Sequence, residues 1–256
     1  MGKRELRMNR LVDIIHSCGY MPIRDIAQML KVSEMTVRRD LAAIEKSGLI
    51  KNVNGVVVSG AGQQVNREYV FESETQVQNE AKALIGHFAA GLISPGDCVI
   101  FDTGTTTKQI VRNISPSLEF EAVCYTRNIL MQVGSLPHAA LAMAGGFYHP
   151  GTQMFTSDEG VAFIHNIRAN KVFISAAGVH EELGISCANS YEVATKRAIL
   201  KSARQHILVA DSSKFGVVRS AYFCNLTDID TVVTDIGLSP EWANLLRQLG
   251  IVLYQV

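Results

Sequence analysis

Long apolar runs are missing from this chain. The longest, VFISAAGV and HILVA, fall far short of the roughly 20 residues a helix needs to cross a bilayer, which excludes a helical membrane span. The opening MGKRELRMNR is charged and is not followed by an apolar signal-peptide core, so the expectation is a cytoplasmic protein with no membrane partner. Cysteine is sparse: Cys18, Cys98, Cys124, Cys187 and Cys224 are odd in number, widely spaced and mostly set in apolar strand-like runs. That pattern argues for buried thiols over a disulfide framework or a zinc site, and no metal is expected. The seven histidines are scattered, with no partner spacing that suggests a nucleophile or a metal site. Internal repeats and low-complexity tracts are absent, as is net charge, with 24 basic against 24 acidic residues.

What is present is a globular composition. At 256 residues, 47% hydrophobic and 19% charged, the chain can bury a sizeable core and is long enough for one larger domain plus a smaller appendage. The balanced charge hides an asymmetry: residues 1–60 hold ten Lys and Arg against six Asp and Glu, and the remainder holds fourteen against eighteen. Only the first segment is suited to approach a polyanion.

The first 48 residues carry three helical patterns. Leu11, Ile14, Ile15 and Cys18 share one face of the first, with Gly19 placed to end it. Pro22 opens PIRDIAQML, whose Ile23, Ile26, Ala27 and Leu30 recur at helical spacing. In VSEMTVRRDL, residues 32–41, Ser33 is a candidate N-cap and Val32 can staple onto Val37. After Gly48 come two β-prone runs around Asn54-Gly55, a strong hairpin signal. Helix, helix, turn, helix, hairpin is the order of a winged helix-turn-helix, assigned to residues 1–59.

On a helical wheel Val37, Leu41 and Ile44 of the third helix point inward. Met35, Thr36, Arg39, Ala42, Ala43 and Lys46 point away, with Arg38 on the flank. Short side chains let the backbone approach base edges. Arg39 has the planar donor fork that pairs with guanine, a contact worth about 1–3 kcal/mol of discrimination, and Arg38 suits a phosphate. Ser33, Met35, Thr36, Arg38, Arg39, Lys46 and Lys51 are therefore the DNA-binding candidates. Asp40 would be repelled by phosphate and is expected either to orient an arginine or to cap a neighbouring helix.

Residues 60–74, small and polar with no sustained period, read as a linker. From residue 75 to 256, helical segments alternate with CVIFDTG, FEAVCYT, ALAMAGG, KVFISAAG, HILVADSS, TVVTDIG and IVLYQV. The expected fold is α/β, a mostly parallel, Rossmann-like sheet with helices on both faces. In DTGTTTKQI, Gly104, Thr105, Thr106 and Thr107 lie at a strand-to-helix turn, where backbone N–H groups and hydroxyls suit a phosphate. It is not a Walker loop, because Lys108 lacks the required glycine spacing. Other strand ends offer Thr126 and Asn128, Gly145 and Gly146, Ser175 with Ala176, Ala177 and Gly178, and Asp211 to Lys214. Lys196 and Arg197 follow on a helix. Such polar groups at one sheet edge suit a sugar phosphate, and no cofactor is expected.

The segment VSEMTVRRDLAAIEKSGLIKNVNG resembles the DNA-binding segment of the DeoR family of bacterial repressors, whose hallmark is V-S-x-x-T-[IV]-R-R-D-L. The wing departs from the family, with Lys51, Asn52, Asn54, Gly55 and three valines in place of an arginine and a Gly-Gly pair. DTGTTT, YTRN, AGG, SAAGV, Y-E-x-x-x-K-R and DSSKFG extend the resemblance over nearly the whole chain. The resemblance implies a sensing domain similar in fold to ribose-5-phosphate isomerase. It also implies a phosphorylated-sugar effector, operator DNA and a homodimer or higher oligomer as partners, and a pocket lined by Asp102, Gly104, Thr105, Thr106, Asn128, Lys196 and Lys214.

The isomerase relationship supplies a rival reading, a sugar-phosphate isomerase with an accessory nucleic-acid-binding domain. Aldose–ketose exchange needs a carboxylate base. Isomerases carry D-G-A-D where this chain has Ser175-Ala176-Ala177-Gly178, which leaves Glu192 and Asp211 as the remaining bases. The expectation is a non-enzymatic repressor.

Overall fold

A computed structural model describes residues 7–8, 11, 20–45, 50–53, 56–59 and 78–256. Ile14, Ile15, Cys18, Gly19, Lys46, the Asn54-Gly55 turn and the linker at 60–74 lie outside the described residues. The chain divides into two compact units, residues 1–68 and 69–256.

In the first unit β1 (Tyr20–Pro22), α1 (Ile23–Leu30), α2 (Glu34–Ile44), β2 (Ile50–Val53) and β3 (Val56–Ser59) follow in order. Leu11, Ile23, Ile26, Val37, Leu41, Ile44, Ile50 and Val57 pack into one small core, with Val32 against it. Pro22 does not open a helix as the sequence suggests. It ends β1, which pairs with β3 alone, and such an edge strand tolerates the missing N–H. α1 stops at Lys31, whose φ of 53° is left-handed. There the N–H groups of Lys31 and Val32 donate back to the carbonyls of Gln28 and Ala27, a Schellman closure that sets the turn between the two helices.

The second unit is built on β4 (Cys98–Phe101), β5 (Phe120–Cys124), β6 (Ala139–Met143), β9 (Ala169–Ile174), β12 (Ala203–Val209), β14 (Thr231–Thr234) and β15 (Val252–Gln255). These seven form one sheet in the order β15-β14-β12-β9-β4-β5-β6, every pair parallel. They are the seven apolar runs picked out above. α3 (Asn79–Ala90), α4 (Thr105–Arg112) and α5 (Arg127–Val133) bury Ile85, Ala89, Ile110, Val111, Ile129 and Val133 on one face. α6 (Asp158–His165), α7 (Val193–Ser202) and α8 (Pro240–Gln248) bury Ile164, Ala198, Ile199 and Leu246 on the other.

Two smaller sheets, which the apolar runs do not mark, accompany it: the hairpin of β7 (Phe147–His149) and β8 (Met154–Thr156), and the antiparallel β10 (Gly178–His180), β11 (Gly184–Cys187) and β13 (Ala221–Cys224). Strand order runs outward in opposite directions from β4 and β9. That makes the gap between their carboxyl ends the topological switch point, where open α/β sheets bind ligands.

Candidate DNA-binding helix and effector site

α2 is built to be a free-standing helix face. Ser33 caps it, its Oγ accepting the Thr36 N–H at 3.2 Å, and Val37, Leu41 and Ile44 fix its inner stripe in the core. Met35, Arg38, Arg39, Ala42 and Ala43 are exposed, as is Ser33, and Thr36 is half-buried. Asp40 is buried instead of facing DNA, and it accepts a hydrogen bond from Arg7 Nε at 2.7 Å. The carboxylate therefore ties the preceding segment to α2, the first of its two expected roles. Lys51 sits on β2, and Lys46 lies outside the described residues.

At the switch point the last residue of β4 is followed by Asp102, which is wholly buried. One carboxylate oxygen accepts from the Tyr125 hydroxyl, and the other accepts from the Ser175 N–H at 2.8 Å, the Ser175 Oγ at 3.1 Å and the Lys196 ammonium. Lys196, 1% exposed, also donates to the Ser175 carbonyl at 3.0 Å. Burial pulls the Lys196 ammonium pKa down, but the neighbouring Asp102 and Glu192 charges and the bond to Asp102 outweigh it, and the net direction is up. The Tyr125 hydroxyl is pushed well above its ordinary value, first by burial and then by the Asp102 charge. Glu192, on the turn before α7, is raised chiefly by burial, opposed by Lys196 and by Asn189, whose N–H and amide donate to it at 3.0 and 2.9 Å.

Gly104 holds φ at 150°, and a Cβ there would stand 2.9 Å from Ser175 Oγ, so the tight turn into α4 admits no side chain. The turn aims the first N–H groups of α4, which have no partner within the helix, toward the switch point. Gly104, Thr105, Thr106 and Thr107 are all buried, so this turn is not open to solvent. The β7–β8 hairpin is bonded beside it, to Thr103 and to the residues that lead from β5 into α5. Thr152 O accepts from Thr103 Oγ1 at 3.2 Å, Gln153 O from the Arg127 N–H and Tyr125 O from the Phe155 N–H, both at 2.8 Å. Further along, the His149 ring stacks on Tyr191 with centroids 3.9 Å apart.

One strand over, Asn128 at the start of α5 is buried with neither amide atom hydrogen-bonded among the described residues. Thr126 Oγ1 beside it and Asp211 Oδ2 after β12 are likewise buried without partners among the described residues. Orphaned buried groups of this kind each cost about 1–3 kcal/mol unless a ligand or water satisfies them. Ala176 and Ala177 are half-buried and Gly178 is buried, all directly after β9, and Lys214 is half-buried beyond β12. Gly145 and Gly146 are exposed at the end of β6, two strands from β4, and line a separate depression of about 290 Å³ with Glu159 and Phe163. Gly146 answers a packing need, since a Cβ there would lie 2.3 Å from Thr156 O.

Tyr125 and Ser175 emerge as the residues that order the site. The signal for Tyr125 was present in the sequence: a phenol ending an otherwise apolar strand needs a buried partner for its hydroxyl.

Comparison with known proteins fits both units. Residues 7–61 match the DeoR-like helix-turn-helix domain, and residues 77–236 match the DeoR C-terminal sensor domain. The chain belongs to the DeoR family. Members are helix-turn-helix transcriptional repressors that carry a sugar-phosphate sensor domain. The chain is 33% identical to the deoxyribose operon repressor of Escherichia coli (strain K12), over 94% of each chain. It is 28% identical to the HTH-type transcriptional regulator IolR of Bacillus subtilis (strain 168), over 96% of this chain and 98% of that one. Among solved structures it is similar to ribose 5-phosphate isomerase A from Methanocaldococcus jannaschii, at 14% identity, 54% and 55% coverage and a TM-score of 0.41. No helix among the described residues is long and apolar enough to cross a membrane.

Proposed function

We propose that this DeoR-family repressor acts on a sugar or nucleoside catabolic operon, binding paired operator half-sites as a homo-oligomer through the outer face of α2. It leaves the operator when a phosphorylated sugar fills the switch point. Deoxyribose 5-phosphate is the first candidate, because the deoxyribose operon repressor is similar over almost the full length of the chain. The observation that carries the effector reading is the unsatisfied Asn128 amide one strand from the glycine turn at Gly104. The site offers polar groups that nothing in the described protein uses.

In this reading the phosphate sits on the amides of Thr105, Thr106 and Thr107, and the sugar hydroxyls pair with Asn128 and the groups after β9 and β12. Asp102 and Lys196 hold the floor, since the carboxylate already receives four hydrogen bonds. Entry requires the β7–β8 hairpin to shift, and that shift is the event the sensor transmits. Against the isomerase alternative, Ser175 to Gly178 carry no carboxylate and Glu192 is held by Asn189, which leaves Asp211 as the one candidate base of the two.

The test is a thermal-shift panel of sugar phosphates on the wild type and on Thr105→Val, with operator retention measured in parallel. The expected result is stabilisation by one pentose phosphate, lost in Thr105→Val while DNA binding persists. Stabilisation undiminished in the variant overturns the phosphate turn, and turnover of ribose 5-phosphate without DNA binding overturns the repressor reading.

A further inference from the structure

Asp211 is 1% exposed, and only one of its two carboxylate oxygens is in use. The residue follows β12 and caps the short turn Ser212–Lys214, where its Oδ1 accepts the Ser213 N–H at 3.2 Å and the Ser213 hydroxyl. Its Oδ2 has no donor among the described residues. A buried carboxylate oxygen only accepts hydrogen bonds, so the group that satisfies it is a donor. A second anion beside it is repelled, and more strongly than in water.

The strand pattern settles which face of the sheet this residue is on. Val209 belongs to the core under α3, α4 and α5, and Ala210 to the core on the other face. Asp211 is still extended, with φ −69° and ψ 157°, so alternation returns it to the α4 face. Asn128, with its unsatisfied amide, opens α5 on that same face. Phe101 alternates the other way: it belongs to the α4-side core, and Asp102 after it bonds Lys196 of α7 on the opposite face. In the order β12-β9-β4, Asp211 stands two strands from the Gly104 turn, about 10 Å at the usual strand spacing. That is beyond an inorganic phosphate seated on the turn, and within reach of the far end of a phosphorylated five-carbon sugar.

We propose that Asp211 is the specificity-determining residue of the effector site. Its unused oxygen receives the anomeric hydroxyl of a pentose 5-phosphate whose phosphate sits on the Gly104 turn, and it excludes effectors that carry a second anionic group at that end. Sugar bisphosphates and phosphorylated sugar acids are thereby rejected. The inference rests on the effector reading given above and adds the charge class: one phosphate and one neutral, hydroxyl-bearing end.

The test is a titrated thermal shift of the full chain, as wild type and as Asp211→Asn, with deoxyribose 5-phosphate and ribose 5-phosphate. Each sugar is run beside the acid made by oxidising its C1 to a carboxylate. Asparagine keeps an oxygen for Ser213 and puts an amide donor where Oδ2 stood. The wild type should bind at least one of the two sugars about 10²-fold or more tightly than its acid, the scale on which a site built around a hydroxyl rejects an analogue without it. In Asp211→Asn that ratio should fall by about tenfold or more, with the acid gaining affinity outright. A capping role alone would weaken both ligands together and leave the ratio unchanged.

A wild type that binds the acid as tightly as the sugar, or an unchanged ratio in Asp211→Asn, overturns the role of Asp211 and leaves the effector reading standing. No stabilisation of the wild type by either sugar phosphate overturns the pentose effector and this inference with it. Should Asp211→Asn fail to fold, the 1-O-methyl glycoside of the preferred sugar phosphate decides on the wild type. It keeps the charge and lacks the hydroxyl hydrogen, so lost binding supports the inference and undiminished binding refutes it.

Discussion

The resemblance places Asp102 in the lining of the effector pocket, and its buried carboxylate there is held by Tyr125, Ser175 and Lys196. Removing one member of such a pair strands the other charge in a low dielectric, which costs about 3–5 kcal/mol. Lys196→Met should therefore lower stability by that amount in urea denaturation, and Asp102→Asn should do the same. A loss under 1 kcal/mol in both would show the pair to be solvated. Glu192 supplies a pH-dependent counterpart. Its carboxyl is raised above the ordinary value of 4.5, chiefly by burial, so the folded chain holds this proton more tightly than the unfolded chain. The stability it contributes is complete below 4.5 and is lost as pH rises through the folded value. Melting temperatures of wild type and Glu192→Gln should thus diverge in favour of the variant as pH rises from about 4 toward neutrality. Parallel curves would mean the carboxyl is not desolvated.

At the scale of elements, the proposed interface on α2 divides recognition from adhesion between two arginines. Arg39→Ala should cost about 1–3 kcal/mol at the operator and relax base preference, while Arg38→Ala should weaken binding to all DNA and flatten its salt dependence. Retention measured across a salt series distinguishes the two, and wild-type behaviour of both variants would remove α2 from the interface. This helix was legible because its cap, its inner stripe and its arginines are all local in sequence. The seven parallel strands were legible because burial on both faces turns each into a continuous apolar run. β10, β11 and β13 were not, since GVH, GISC and AYFC are too short to show a period. The β7–β8 hairpin did leave a sign, the Pro150-Gly151 pair between FYH and MFT, which goes unremarked when the segment is read only for strand ends. In the site, residue types pointed to Gly104 and Lys196. The anchoring role of Asp102 could not be read, because its partners Tyr125 and Lys196 lie 23 and 94 positions away and only the strand order brings them together.

For the whole molecule, the two compact units must exchange free energy if the chain is to switch. Effector binding moves the operator equilibrium only as far as the effector prefers one state of the protein over the other. The coupling is reciprocal, so operator DNA must weaken effector binding by the same factor that effector weakens operator binding, about 5–150-fold for a coupling of 1–3 kcal/mol. Titrating deoxyribose 5-phosphate into the protein with and without saturating operator, and operator with and without the sugar phosphate, gives both factors. They should agree. In Asn128→Ala both should shrink together if the proposed contact between this amide and the effector forms only in the operator-released state, and α2 is left unchanged. Equal effector affinity in the presence and absence of operator would mean that the sensor unit and the DNA-binding unit titrate independently, and release from the operator would then need a cause other than the switch-point ligand.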